Sequence, residues 1–420
     1  MTASLSLSPG STIAVVGAGV IGVSVAFALV DRGYRVTLFD RAEPGRAGPS
    51  YGNAGHVVGS AIEPLASPGI ATTGLRMLLD PEGALKIPKA YAASVLPWLW
   101  RFWRSSLAPT HGETVKTLTA FNAGVLADME ALFARAGIGT MLRLAPAIHL
   151  YESETSFGLA RGAWALRRSA GLNWTLLDAA QIRELEPRLA PIFVRGILDL
   201  EWAIVTDPHA VVEGLFAAGQ ARGAHFVRAN VHEVRPTARG IVVVSAGAEQ
   251  PFDAAVIAAG VWSRHLAQAL GDVLPVEAER GYNLTFHGLQ HLLRNPLVFS
   301  DRGMVATSLA PGLRIGGWTE LGGTELPPTT RYWQSMRRIC EALVPGVGDA
   351  EASEWMGHRP SMPDSIPVIS RSGYCERVFY SVGHGHYGLS QSAKTARALT
   401  ELISEGRDRE WSAHSIGRFI

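Results

Sequence analysis

Gly17-x-Gly19-x-x-Gly22 follows the apolar run "TIAVV" and opens the apolar pattern "VSVAFALVDRG". Asp40 closes the next strand-like run, "YRVTLFD", 23 residues past Gly17. These types at this spacing suit a dinucleotide. Gly17 permits a tight turn, Gly19 lets backbone approach a pyrophosphate, and Gly22 lets the helix pack closely on the strand. The helix N-terminus then faces the phosphates with its partial positive charge, and the carboxylate can accept from ribose hydroxyls. Arg359, in "GHRPSMPDSIPVI", is a candidate of another kind. A planar guanidinium grips a carboxylate with two parallel hydrogen bonds. Its structural alternative is an ion pair with Asp364. A third feature lies near the end of the chain, in "YSVGHGHYGLSQS", where Gly383, Gly385 and Gly388 interleave with His384 and His386 before a helical pattern. Two histidines without further ligands do not make a metal site, and none is expected.

The elements that must position these residues follow from the apolar pattern. A strand over 12–16, a helix ending at Gly33 and a strand ending at Asp40 form one strand-turn-helix-strand unit. Residues 69–107 read as irregular. Residues 118–136 read as one amphipathic helix, with Phe121, Val125, Met129 and Phe133 on one face. Asp178 and Asp207 are N-cap candidates for two further helices. The run from Ala224 to Gly260 alternates like consecutive strands, and "RGYNLTF" with "MVATSLAPGLRIGGWTE" suggests an antiparallel sheet. A helix at "YWQSMRRICEALVPG", a strand at "RVFYSVG" and a last helix from about Leu389 complete the reading. An NAD-only domain would continue with contiguous βα units. Here helical and antiparallel segments intervene, and glycine-ended strands return at Gly260 and Gly383. The nucleotide domain is assembled from separated pieces.

Composition narrows the function classes. The chain has 420 residues, 47% hydrophobic and 18% charged, with a formal net charge of +1. That predicts a large core and no nucleic-acid partner. The two cysteines, Cys340 and Cys375, stand outside any Cys-x-x-Cys pattern and fit a reducing compartment. No signal peptide and no 18-residue apolar run is read, so the expectation is a cytoplasmic protein, soluble or peripheral at the inner face of the membrane. The segment "PWLWRFWRSS" offers that contact through Trp98, Trp100 and Trp103, its alternative being an ordinary packed aromatic helix.

Taken in order, "VVGAGVIGVSVAFALVDRGYRVTLFD", "SYGNAGHVV", "VIAAGVWS", "GYNLTF", "GHRPSMPDSIPVI" and "YSVGHGHYGLSQSAKTARAL" resemble the D-amino-acid oxidase superfamily of flavoproteins, and within it the bacterial D-amino-acid dehydrogenase branch. The likeness spans essentially the whole chain. It implies an α/β fold: a discontinuous Rossmann-like FAD-binding domain (1–60, 200–268 and 353–420) and an α+β substrate domain with a mostly antiparallel sheet (61–199 and 269–352). It also implies which residues face FAD. Gly17, Gly19, Val20, Ile21, Gly22, Asp40 and Arg41 belong to the nucleotide turn. Ser50, Asn53, Ala54 and Gly55 run beside the flavin ring, and the Val231 backbone reads the adenine. Ala259, Gly260 and Trp262 make a second contact. Gly383, His384, Gly385, His386, Tyr387, Gly388, Leu389 and Ser390 lie at the pyrimidine end. Arg359 matches the arginine that binds the substrate carboxylate at the flavin. Ser370 departs from a glycine that usually closes this motif.

Tyr282 is a second substrate contact, Arg280 a weaker one, and His386 and Tyr387 are pocket walls to test first. The implied reaction is oxidative deamination of an amino acid, most of all a D-amino acid including D-proline types, by hydride transfer to flavin N5. The imine hydrolyses to a 2-oxo acid, and oxygen or a quinone takes the electrons. Alternatives are oxidation of a secondary amine (sarcosine, iminodiacetate or opine type), a flavin-binding subunit of a larger oxidase, and an NAD-dependent dehydrogenase.

Overall fold

The computed structural model describes residues 5–80 and 83–419. A six-stranded sheet runs in the order His225–Arg228, Arg35–Asp40, Thr12–Val16, Ala254–Ile257, Val378–Val382, Val368–Arg371. All neighbours are parallel except the last pair. Strands alternate their side chains between faces, so the sheet needs two covers. Ile13 and Val15 pack under helices Val20–Asp31, Pro208–Gln220 and Gly388–Glu405. Ala14 and Val16 pack against the small antiparallel sheet Val231–Pro236, Ile241–Ser245, Ala248–Phe252. Helix Val20–Asp31 is buried along almost its whole length and packs directly on helix Gly388–Glu405.

The second sheet has nine strands and is mostly antiparallel. Its functional edge is Ala352–Ser361, then Glu277–Phe286, then Gly312–Leu321. Helix Arg331–Leu343 closes over it, with Tyr332, Trp333, Met336 and Cys340 in the shared core. Strand Ala352–Ser361 pairs along its full length with Glu277–Phe286. The sequence boundary at residue 353 therefore needs correction: the strand carrying Arg359 belongs to the large antiparallel sheet. The chain crosses to the parallel sheet only after it.

Two local expectations also change. Residues 69–107 are largely helical, as Ile70–Leu79 and Ala92–Ser105. Prolines such as Pro88 and Pro97 suggested irregular chain, yet Pro88 stands at a helix start and Pro97 is held inside a helix. Residues 118–136 belong to two helices, Thr110–Asn122 and Val125–Ala136, separated at Gly124 with φ +76°. The apolar period misled because Phe121, Met129 and Phe133 reach one core from both sides of the break. Asp178 and Asp207 do cap their helices, Asp178 in a reciprocal capping box with Gln181.

Candidate active site

Strand Thr12–Val16 ends in a turn pressed against its neighbour. Gly17 has φ +108°, and a Cβ there would stand 2.4 Å from the Ala258 carbonyl oxygen. Only glycine fits this conformation and this gap. Asp40 accepts the Ala18 N–H at 2.7 Å with one oxygen and the Ala42 N–H at 3.1 Å with the other. Its carboxylate thus holds the turn as well as facing the cavity. Ser50 accepts the Val20 N–H at 2.9 Å, tying the "SYGNAG" segment to the helix start.

This turn forms one end of a cavity of about 1250 Å³ that runs to the large sheet. Val20, Ile21, Asp40, Arg41, Ser50, Asn53 and Ala54 line it, with Val231, Ala259, Gly260 and Trp262 on the facing wall. Arg41 stacks on Trp262 with its guanidinium carbon 3.8 Å from the ring centroid. From the C-terminal turn come His384, Gly385, His386, Tyr387, Gly388, Leu389 and Ser390. Three sequence candidates stand behind the wall. Gly22 packs on the Gly17 carbonyl, Gly55 on Leu309, and Gly383 on Met362.

These residues fit FAD. The cavity exceeds the usual small-molecule pocket of roughly 300–1,000 Å³. The Asn283 Oδ1, Ser381 Oγ, Trp202 Nε1 and Trp318 Nε1 atoms on its wall are buried with no protein hydrogen-bond partner. Buried polar atoms in a native site call for a partner, which a polar ring system supplies.

The far end is made of side chains. Glu279, buried in strand Glu277–Phe286, faces Arg359 across the strand pair. Arg359 Nη1 donates to Glu279 Oε1 at 3.2 Å and to the Trp318 carbonyl at 3.4 Å. Its guanidinium packs against Gly281, where a Cβ would stand 2.1 Å from Nη2 and 2.2 Å from the guanidinium carbon. The alternative partner, Asp364, is bound instead by Arg418 at 2.7 Å. Glu279 also accepts Ser361 Oγ at 2.7 Å and Thr319 Oγ1 at 2.8 Å, and it contacts His386 Nε2 directly. Burial pushes the Glu279 carboxyl up, but His386 and Arg359 outweigh it and hold it well below the usual carboxylate range.

Tyr282 lines the cavity, but its expected contact with substrate is corrected. The hydroxyl donates to Glu320 at 2.7 Å and accepts the Thr329 N–H at 3.1 Å, and the side chain is fully buried. Arg280 is likewise enclosed, paired with Glu320 at 3.1 Å. His384 is buried beside Thr395, its Nε2 2.9 Å from the hydroxyl, and burial, then His414, depress its pKa to about 3. It ties the turn to the helix. Burial raises the Tyr387 phenol above its ordinary range. Sequence reading missed Glu279. The available signal was "EAER", three charges in one apolar strand.

Trp98, Trp100 and Trp103 divide. Trp98 is buried and stacks on Phe102 with ring centroids 5.0 Å apart, so it cannot touch a membrane. Trp100 is 58% exposed and Trp103 38%. Among the described residues no helix is long and apolar enough to cross a membrane.

The family model "FAD dependent oxidoreductase" (DAO) matches residues 12–402. The chain is 35% identical over 405 residues to a D-amino-acid oxidase of Bradyrhizobium diazoefficiens, covering 94% of this chain and 95% of that protein. It is 30% identical over 427 residues to a D-amino acid dehydrogenase of Cereibacter sphaeroides, covering 96% and 94%. Glycine oxidase from Geobacillus kaustophilus shares the fold, with TM-score 0.75 at 21% identity over 98% of this chain and 100% of the other. Iminodiacetate oxidase from Chelativorans sp. BNC1 does so at TM-score 0.73 and 18% identity, over 96% and 98%.

Proposed function

The chain belongs to the FAD dependent oxidoreductase (DAO) family, and we propose that it oxidises the C–N bond of a free D-amino acid, D-proline types included. FAD supplies the hydride acceptor. The carrying observation is Arg359, a guanidinium on the cavity wall whose Nε and Nη2 face no described protein acceptor. That edge suits the substrate carboxylate, which fixes the α-carbon in position. The imine product hydrolyses to a 2-oxo acid. The D-amino acid preference rests on the relatives named above.

Anaerobic bleaching of the bound flavin by a panel of D-, L- and N-alkyl amino acids tests this. Bleaching by D-amino acids is expected. Bleaching by sarcosine or iminodiacetate alone replaces the reading with secondary-amine oxidation. Bleaching without turnover by an added dye acceptor points to a subunit of a larger oxidase.

The electron acceptor is oxygen or a quinone, and the second choice has a surface to go with it. Helices Ile70–Leu79 and Ala92–Ser105 line the cavity and expose Leu75, Leu79, Leu96, Trp100 and Trp103. Arg76, Arg101 and Arg104 are exposed among them. Apolar and cationic side chains together suit an anionic bilayer surface. Vesicles rich in phosphatidylglycerol should co-float the protein, and the Trp100→Ser/Trp103→Ser pair should release it. Flotation unchanged by the pair, or absent from the start, removes the membrane.

A further inference from the structure

Strand Glu277–Phe286 is buried along its whole length. A carboxylate there is costly unless it is paired and hydrogen-bonded. Glu279 meets that cost with four partners, and three of them share one oxygen. Oε1 receives Arg359 Nη1, His386 Nε2 and Thr319 Oγ1, and Oε2 receives Ser361 Oγ. The guanidinium and the imidazole are therefore held side by side at the cavity wall. Because Glu279 occupies Nε2, that nitrogen carries the hydrogen, and Nδ1 is left with the lone pair. The imidazole is 33% exposed and lines the cavity.

The proposed reaction needs such a group. An α-amino acid arrives as an ammonium ion, whose nitrogen has no lone pair with which to form C=N. One N–H proton must leave before the Cα–H pair can depart. A substrate carboxylate seated on Arg359 has its nitrogen two bonds from the carboxylate carbon, within reach of the adjacent imidazole. The other titratable or charged groups facing this point are Glu279 on its strand, Arg359 on the neighbouring strand, Tyr387 in the same turn, and Arg167 and Glu63 beyond Tyr387. Glu279 has both oxygens engaged, Arg359 is a fixed cation, and Arg167 and Glu63 bind each other at 2.5 Å. Tyr387 is a phenol held protonated by burial.

We propose that His386 accepts the substrate's ammonium proton on Nδ1, and that Glu279 is the positioning residue that fixes the imidazole tautomer and, through the same oxygen, the Arg359 clamp. The inference rests on the amino-acid reading above. An N–H bond of the substrate breaks and an Nδ1–H bond forms, giving an imidazolium whose counter-charge is Glu279. The Cα–H bond then breaks, its electron pair passes as hydride to the oxidised flavin, and the nitrogen lone pair closes C=N. Water hydrolyses the resulting iminium to the 2-oxo acid and ammonium. The imidazolium returns its proton to solvent at its exposed edge.

The test is anaerobic stopped-flow reduction of the flavin between pH 6 and 10, with a D-amino acid the wild type consumes. Wild type, His386→Gln and Glu279→Gln are compared at full flavin occupancy. At pH 7 His386→Gln should reduce on the order of 100-fold more slowly. It should recover to within several-fold of wild type by pH 10, where the free amine forms unaided. Glu279→Gln should raise KM and move the acid limb of the profile, because the imidazolium has lost its counter-charge. A His386→Gln profile scaled down equally at every pH, or a Glu279→Gln acid limb in the wild-type position, overturns the inference alone. If His386→Gln does not hold flavin, the Glu279→Gln limb decides. A wild-type flavin bleached by no amino acid overturns the functional reading and this inference with it.

Discussion

The cavity's nucleotide end is a backbone surface: a glycine turn, a helix start, and Asp40 and Ser50 accepting main-chain N–H groups. Its substrate end is a side-chain cluster, with Glu279, Arg359, His386, Ser361 and Thr319 sharing one carboxylate. A backbone site tolerates many sequences provided the glycines remain. A side-chain site depends on each member, because removing one leaves another buried charge without its partner. The two ends should therefore fail in different ways.

Gly17→Val is the largest expected effect. It strains a left-handed turn and drives a side chain into the Ala258 carbonyl. The purified protein should be colourless, read directly from the flavin absorbance. A yellow Gly17→Val protein breaks the comparison at its first end. Arg359→Ala should stay yellow while its KM for the amino acid rises at least about 10-fold, the scale of a lost charge-assisted pair. Unchanged kinetics remove Arg359 from the site. Gly281→Ala should do a milder version of the same, because the methyl displaces the guanidinium without discharging it. A several-fold rise in KM with little change in kcat is expected, and steady-state kinetics resolve it.

Acid sharpens the contrast. The substrate end contains His384, neutral when folded because burial holds its pKa near 3. Its unfolded form takes up a proton near pH 6.5. Between those values the unfolded chain binds more protons, so stability is full above about pH 6.5 and declines as pH falls. At pH 5 this one group costs about 2 kcal/mol. His56, also held near 3 by burial and then by His149, adds to it. Thermal unfolding should show the wild type losing stability between pH 7 and 5, and His384→Gln losing less. Equal slopes refute the assignment. The smallest effect belongs to neither end: Asp178→Ala removes a capping box and should cost about 1 kcal/mol with kinetics intact.

The same contrast explains what the sequence could tell. Gly17, Gly19, Gly22 and Asp40 lie in one short segment, and a contiguous motif is read directly. Arg359 stands in a contiguous motif too, and the structure puts it on the cavity wall. Glu279 was not legible, because its partners stand 80 and 107 residues away and no spacing rule connects them. Tyr282 looked like a site residue because a phenol suits substrate. Burial and Glu320 had already claimed its hydroxyl. Helices 70–79 and 92–105 were hidden by prolines, and by apolar side chains that face solvent as well as core.

The packing of helix Val20–Asp31 beneath helix Gly388–Glu405 sets a timetable for biosynthesis. The first helix is synthesised long before its cover, with most of the other elements between them. Helix Pro208–Gln220 also packs on the first helix, but the cover from Gly388 onward and the interior strand Val378–Val382 follow only much later in the chain. The cavity is not closed until the turn at residues 384–390 has been made.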